Sequence, residues 1–273
     1  MTHGHWQLEG SSPELYQRYL VPAITSKWAD DLVDRARPRS GEAVIDVACG
    51  TGVVARSAAA RMGAGRVTGL DLNPGMLAVA RTVPSEGATI EWIEGSALDL
   101  PFAAASFEVA LCQLGLQFFP DRALALREMH RVLKASGRLA LSVYSAIERT
   151  PGAHAFVLAL DEVLGAGASE VKRGEHAFAA QGEVEALLNE AGFAAVEVQA
   201  VVQEIAFPSV LDYVRFQLLA TPMTALLKGK REEERGTAIA AVAERTARFA
   251  GRPRVDDDRF VFPQEAYVAM GRT

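Results

Sequence analysis

Between residues 43 and 144, short apolar runs rich in β-branched residues alternate with stretches whose apolar positions recur every three or four residues. The runs "AVIDVA", "RVTGLD", "TIEWIEG", "SFEVALCQ" and "GRLALSVY" predict strands; "GVVARSAAARM", "PGMLAVART" and "DRALALREMHRVLK" predict the helices between them. A strand covered on both faces has no polar side, so near-continuous apolar strands separated by helices predict a parallel sheet with helices on each face, a doubly wound α/β domain. Upstream, Tyr16, Leu20, Ile24, Trp28 and Leu32 at spacings of four predict helices, with a break at Pro22, before "PRSGE" resets the chain. Beyond Tyr144 come a helix from Gly152 to Leu164, a Gly/Ala-rich connection, the helix "VEALLNEAGF" ended by Gly192, and the alternating run "AVEVQAVVQEIAF". Residues Pro208 to Asp257 read as mainly helical and precede the last strand-like run, "FVFPQEAYVAM". An insertion of that length without structure is uncommon in a compact domain, so it reads as a cap. The expected organisation is therefore N-terminal helices over 1–40 as a lid or cap, a ligand-binding core of 41–207 and 258–273, and a helical insertion over 208–257.

Composition narrows the possible partners. With 273 residues, 49% hydrophobic, the chain can bury a large core. A formal charge of −6 argues against a nucleic acid partner, which needs clustered Lys and Arg to displace counterions. The charge run "KGKREEER" mixes both signs and reads as a solvated helix face. No membrane insertion is expected: the apolar stretch 102–120 is interrupted by Glu108, Gln113 and Gln117, and "MTHGHWQLEG" lacks the basic flank and apolar run of a signal peptide. Cys49 and Cys112 are too few for a disulfide framework, and without a CxxC pair no metal site is read, which makes a cytoplasmic location the simplest.

The candidate chemistry lies in "VIDVACGTGVVAR". Gly50-Thr51-Gly52-Val53-Val54-Ala55 fits the G-x-G-x-x-G/A turn of a nucleotide-binding βαβ unit, and Asp71, 19 residues past Gly52, stands where such a unit places a carboxylate to accept both ribose hydroxyls. Asp46 helps to choose the ligand. A carboxylate about 4 Å from a pyrophosphate charge would be repelled by roughly 4 kcal/mol at an effective dielectric of 20. S-adenosylmethionine carries a sulfonium and an ammonium and no phosphate, so it suits an acidic wall. Asp46 could equally bond the amides of its own turn, and the two roles are compatible.

The segments "VIDVACGTG", "GLDLNPGML", "EGSALDLPF", "SFEVALCQLGLQFFPD" and "REMHRVLKASGRLALSVY", in that order, resemble the class I S-adenosylmethionine-dependent methyltransferases, and among them the small-molecule enzymes similar to those of the ubiquinone and menaquinone pathways. The resemblance is strong over 43–144, weaker in "AGFAAVEV" and "AYVAMGRT", and faint elsewhere. It implies a Rossmann-like sheet of seven strands with the last antiparallel, S-adenosyl-L-methionine as cofactor and S-adenosyl-L-homocysteine as product. It also implies that Ala48, Gly50 and their turn, with Gly52 and Asp46, hold the methionine part. Asp71 then binds the ribose, Leu72 and Met76 flank the adenine, and Ser96 and Ala97 meet the adenine edge. Gln113 would line the site near the sulfonium, with Gln117 close to the substrate. Ser96 stands where relatives usually have Asp, which removes an acceptor for the adenine amino group, and "KASGR" replaces a commoner Lys-Pro-Gly-Gly turn.

Methyl transfer needs alignment more than proton transfer, so the absence of an obvious acid–base pair does not count against it. Tyr144, ending a parallel strand at the edge where ligands gather, and Gln117 are the candidate catalytic residues. Glu148 and Arg149 follow in the same loop and could orient a polar substrate. His130 reads as a surface residue, and His3, His5, His154 and His176 are weaker candidates; Cys49 and Cys112 read as small buried side chains. "CQLGLQFF" lacks the Asn/Asp-Pro-Pro-aromatic element of enzymes that methylate base or glutamine amino groups. Two other readings stay open at this stage: an NAD(P)-dependent oxidoreductase and a noncatalytic cofactor-binding interaction protein. The aromatic and aliphatic excess in "ELYQRYLVPAITSKW" and "LDYVRFQLLATPMTALL" predicts an apolar or aromatic acceptor enclosed by the two capping segments.

Overall fold

The computed structural model describes residues 10–250 and 259–273. In chain order its α-helices are α1 (Ser12–Leu15), α2 (Ser26–Ala36), α3 (Val53–Met62), α4 (Pro74–Thr82), α5 (Arg122–Val132), α6 (Pro151–Leu164), α7 (Glu170–Glu175), α8 (Gln181–Glu190), α9 (Val210–Ala220) and α10 (Glu232–Ala250). The strands are β1 (Ala43–Val47), β2 (Arg66–Asp71), β3 (Thr89–Glu94), β4 (Phe107–Gln113), β5 (Leu133–Tyr144), β6 (Ala194–Phe207) and β7 (Phe260–Arg272). The chain forms two compact units. A sheet unit comprises Thr25–Ser145, Ala177–Val201 and Ala266–Thr273; a helical unit comprises the segments through Ile24, Ala146–His176 and Val202–Glu265.

One seven-stranded sheet runs in the order β3-β2-β1-β4-β5-β7-β6. β1 pairs parallel with β2 and with β4, β2 with β3 and β4 with β5, whereas β7 lies antiparallel to β5, with Leu139 opposite Gly271 and Tyr144 opposite Ala266. The five strands read from 43–144 are all present, and the burial pattern explains why they were legible: Val44, Ile45 and Val47 of β1 and Val109, Ala110, Leu111 and Cys112 of β4 are buried. After β1 the chain builds outward through β2 and β3, then returns to the other side of β1 as β4. This reversal opens a crevice beyond the carboxyl ends of β1 and β4, where open α/β sheets bind ligands.

Two local expectations change. The expected break at Pro22 is absent: Tyr16–Thr25 winds as a π-helix through the proline. The wider turn accommodates a residue that has no N–H to give to an α-helical bond. The Gly/Ala-rich connection after α6 contains α7, where Asp161 accepts hydrogen bonds from the Ser169 amide (3.0 Å) and hydroxyl (2.7 Å). Lys172 and Glu175 form a buried ion pair at 2.5 Å within α7.

Inside the helical unit, α6 and α10 pack along each other and are joined by an Arg245–Glu162 ion pair at 2.7 Å. Tyr213 of α9 sits among the rings of Phe156, Phe207, Phe260 and Phe262, with centroids 5.0–5.5 Å away. Tyr19 stacks on Phe216 at 4.2 Å.

Candidate active site

The site begins where β1 ends. Ala48 (φ 59°), Gly50 (φ 55°) and Gly52 (φ 86°) all adopt left-handed backbone within five residues. The turn is closed by the Gly52 amide donating to the Cys49 carbonyl at 2.8 Å, and anchored by the Cys49 amide donating to the Leu70 carbonyl at 3.0 Å. The two glycines serve different purposes. A Cβ on Gly50 would meet nothing within 4 Å, so the backbone there faces open space that a ligand can approach closely. One on Gly52 would lie 2.2 Å from the Trp92 ring, so that glycine is required by packing.

Asp71, at the end of β2, locks this turn to its neighbour. One carboxylate oxygen accepts the Gly50 amide at 2.7 Å and the other the Asn73 amide at 2.8 Å. Each oxygen has a second lone pair, which leaves the carboxylate able to accept a pair of vicinal hydroxyls. Asp46 is buried in β1. Its Oδ2 accepts the Ala55 amide at 3.0 Å, while Oδ1 has no partner among the described residues. Burial pushes this carboxyl up to about 8; the Ala55 bond opposes the rise, the charge of Asp71 adds to it and Arg56 again opposes it. The amide it meets lies in the first turn of α3, not in the glycine turn itself. Burial thus favours the neutral carboxyl and a nearby cation the ionised one, and the repulsion of a pyrophosphate belongs to the ionised form.

Around this turn the remaining strand ends converge. Leu72 is 70% exposed, an unusual state for a leucine beside a crevice, and Met76 is half-buried in α4, whose first turn is capped by Asn73 accepting the Gly75 amide at 2.9 Å. After β3, the Gly95 amide donates to the Asp71 carbonyl at 3.1 Å, Ser96 Oγ accepts the Leu98 amide at 3.1 Å, and Ala97 is buried. Gln113, at the end of β4, donates from Nε2 to the Thr25 carbonyl at 2.9 Å, while its buried Oε1 has no partner among the described residues. A Cβ on Gly115 would lie 2.9 Å from that of Ala48, which shows how closely the loop after β4 passes the glycine turn. Gln117 follows in the 3-10 turn Leu116–Phe118, buried, with neither side-chain amide atom partnered among the described residues. Tyr144 is buried at the end of β5, on the same face as Ser142 by strand alternation.

Sequence reading missed four members of this group. Trp92 packs against both Gly69 and Gly52 because β3 pairs in register with β2, Gly69 opposite Trp92. Ser142 is the register partner of Gln113, and its hydroxyl is buried without a partner among the described residues, as is that of Thr51. Arg56, in the first turns of α3, carries a buried unpartnered Nη1 near Gly52. Only Thr51 and Arg56 lie in the motif itself, where a charged or hydroxyl side chain amid small residues was the available signal.

The other candidates occupy other elements of the chain. His130 meets Phe193 edge-on at 5.0 Å, His154 and the buried His176 belong to the helical unit, and Glu148 and Arg149 are exposed. His3 and His5 lie outside the described residues. Cys49 and Cys112 are buried, and burial raises both thiols, Cys112 to about 12, which makes them unreactive.

The sheet order, the glycine turn and the two carboxylates are those of a class I S-adenosylmethionine-dependent methyltransferase domain. Residues 45–141 match the family described as "Methyltransferase domain". Over 120 residues the chain is 38% identical to 2-phytyl-1,4-beta-naphthoquinone methyltransferase, chloroplastic, of Arabidopsis thaliana, covering 42% of this chain and 46% of that one. Over 117 residues it is 40% identical to demethylmenaquinone methyltransferase of Listeria monocytogenes serotype 4a, covering 42% and 49%. The chain thus spans about half the length of these curated relatives. Among solved structures, the YcgJ protein of Bacillus subtilis shares the fold with a TM-score of 0.58 at 20% identity, over 90% of this chain and 98% of that one. These matches favour neither the oxidoreductase nor the noncatalytic reading. Among the described residues, no helix is long and apolar enough to cross a membrane.

Proposed function

We propose that this protein transfers the methyl group of S-adenosylmethionine to a small apolar or aromatic acceptor of the quinone class. The observation that carries the reading is the open space over the left-handed backbone at Gly50, bordered by Asp71 with spare lone pairs, together with a buried, unpartnered oxygen on Asp46 in the strand that leads into the turn. The fit to the cofactor is chemical. Asp71 accepts the ribose hydroxyls, exposed Leu72 and half-buried Met76 cover the adenine, and Ser96 and Ala97 border its edge. Asp46 and the Gln113 carbonyl oxygen lie on the methionine side, where negative and dipolar groups favour a cation. The cofactor supplies an electrophilic methyl on a sulfonium, so the chain need only orient the acceptor and exclude water.

The acceptor side rests on Gln117 and Tyr144. The Gln117 amide can both donate to and accept from an oxygen of the acceptor ring, and its burial without an internal partner is costly unless a ligand or water satisfies it. The quinone class is supported by the names of the two curated relatives. Residues 1–40 and 208–257, of which 1–9 and 251–257 lie outside the described residues, are proposed as the apolar cover, a reading supported by the aromatic cluster around Tyr213 within the helical unit. A cytoplasmic location is in keeping with two buried, free thiols.

The test is calorimetry followed by methyl transfer. S-adenosylhomocysteine should bind and NAD(H) should not, and methyl-labelled S-adenosylmethionine should label at least one member of a panel of naphthohydroquinones and benzohydroquinones. NAD(H) binding without any response to S-adenosylhomocysteine would overturn the assignment.

A further inference from the structure

At the end of the strands opposite the glycine turn, within the sheet unit alone, lies a cavity of about 780 Å³. It is framed by the end of α2, the turn before β1, the turn Lys134–Gly137 and the end of β7. Its size is in the range of small-molecule sites, and it is not the cofactor crevice. Six cations line it, Arg35, Arg37, Arg39, Lys134, Arg138 and Arg272, against the three carboxylates Glu42, Glu108 and Glu197. This is an excess of positive charge in a chain whose net charge is −6.

The cations divide by what they do. Lys134 pairs with Glu108, Arg138 pairs with Glu42 at 2.6 Å, and Arg35 pairs with Asp31 at 2.8 Å. These hold the frame: Arg138 also donates to the carbonyls of Ala36 (2.5 Å) and Arg37 (2.7 Å), fixing the chain after α2. The guanidinium groups of Arg37, Arg39 and Arg272 make no hydrogen bond or ion pair among the described residues. The backbone around them is also unusual. Arg37 (φ 47°), Ser136 (φ 64°) and Ala195 (φ 47°) line the cavity in left-handed conformations that glycine adopts without cost, and such strain gathers at functional sites. Arg37 occupies the position after a helix where glycine is the usual residue.

We propose that this cavity binds a phosphorylated small molecule, its phosphate held by Arg37, Arg39 and Arg272. Guanidinium forks match the oxygens of phosphate, and these three, although the charge of Arg39 also acts on Glu42, can together neutralise a doubly charged group. A small ligand is favoured over a polyanionic surface by range. Beyond roughly 8 Å, about one Debye length in physiological salt, a bound nucleic acid or anionic membrane would face the rest of a net acidic chain, whereas a molecule inside the cavity meets mainly its cations.

Inorganic pyrophosphate, titrated calorimetrically into the full chain, is the probe, with citrate as a carboxylate of similar charge and S-adenosylhomocysteine as a competitor. Pyrophosphate should bind at a single site, more tightly than citrate, and with the same affinity when the cofactor site is saturated with S-adenosylhomocysteine. The double variant Arg37→Gly/Arg272→Ala should weaken pyrophosphate at least tenfold while binding S-adenosylhomocysteine unchanged, and the glycine keeps the left-handed turn so that folding is not the cause. Absence of pyrophosphate binding overturns the proposal, as does displacement by S-adenosylhomocysteine, unchanged affinity in the variant, or preference for citrate. Binding to single-stranded DNA or to phosphatidylglycerol vesicles that survives the double substitution would show that the surface at large, and not this cavity, attracts anions.

Discussion

Two carboxylates at the ends of neighbouring strands, Asp46 buried and Asp71 half-buried, carry opposite burdens. Asp71 accepts two backbone amides, so Asp71→Ala removes more than a ligand contact: each amide that loses its acceptor costs about 1–3 kcal/mol, and the variant is expected to lose both stability and affinity for S-adenosylmethionine. Asp71→Asn separates the two, since the side-chain oxygen still serves one amide while the charge-assisted ribose contact is lost; calorimetry should show binding at least tenfold weaker with a smaller drop in urea midpoint. Unchanged affinity in a folded Asp71→Asn protein would remove Asp71 from the ribose site. Asp46 behaves differently because burial lifts its carboxyl from the ordinary 3.8 to about 8. Its folded-state value lies above the unfolded one, so its contribution to stability is fully present below pH 4 and is lost as pH rises to about 8, at up to about 1.4 kcal/mol per unit. In the ligand-free protein, Asp46→Asn should flatten the pH dependence of unfolding across that window. A cation over the turn reverses the preference, so S-adenosylmethionine binding near pH 7 should release a proton, visible as a heat that varies with the ionisation enthalpy of the buffer. The same heat in Asp46→Asn would mean that the proton comes from another group.

At the level of strands and helices, register decides what sequence spacing cannot. Gly69 faces Trp92 across β2 and β3, and a Cβ there would sit 2.5 Å from the ring and 3.1 Å from the Cys49 sulfur. Gly69→Ala should therefore destabilise by about 1–3 kcal/mol, an overpacking cost. Trp92→Leu made in that background should recover part of the loss, and a urea double-mutant cycle giving simple additivity would show that the ring is not the obstacle. The same contrast separates what was readable from what was not. Strands β1, β2 and β4 announce themselves because they are buried on both faces, and Asp46, the glycines and Asp71 could be paired because one βαβ unit brings them together at short range. Trp92 and Ser142 join the site only through pairing between strands, Gly69 with Trp92 and Gln113 with Ser142, which a linear reading does not contain. Pro22 misled for a related reason: proline reports the missing N–H, but not that a π-helical turn would absorb it.

For the molecule as a whole, the proposed enclosure of the acceptor makes a prediction about protection. With S-adenosylhomocysteine and a naphthoquinone analogue bound together, amide exchange over residues 1–30 and 208–250 should slow. Full protection of those segments in the free protein would deny them any covering motion. The sheet order has another consequence, for the way the protein is made. β7 lies between β5 and β6, although it is the latest of the seven strands to leave the ribosome. From the synthesis of residue 207 until residue 260 appears, β5 and β6 wait as open edges with the place between them vacant. Nascent chains arrested before β7 should consequently be prone to capture by chaperones or by one another, and a slowdown of translation within codons 208–259 would lengthen the interval of greatest risk.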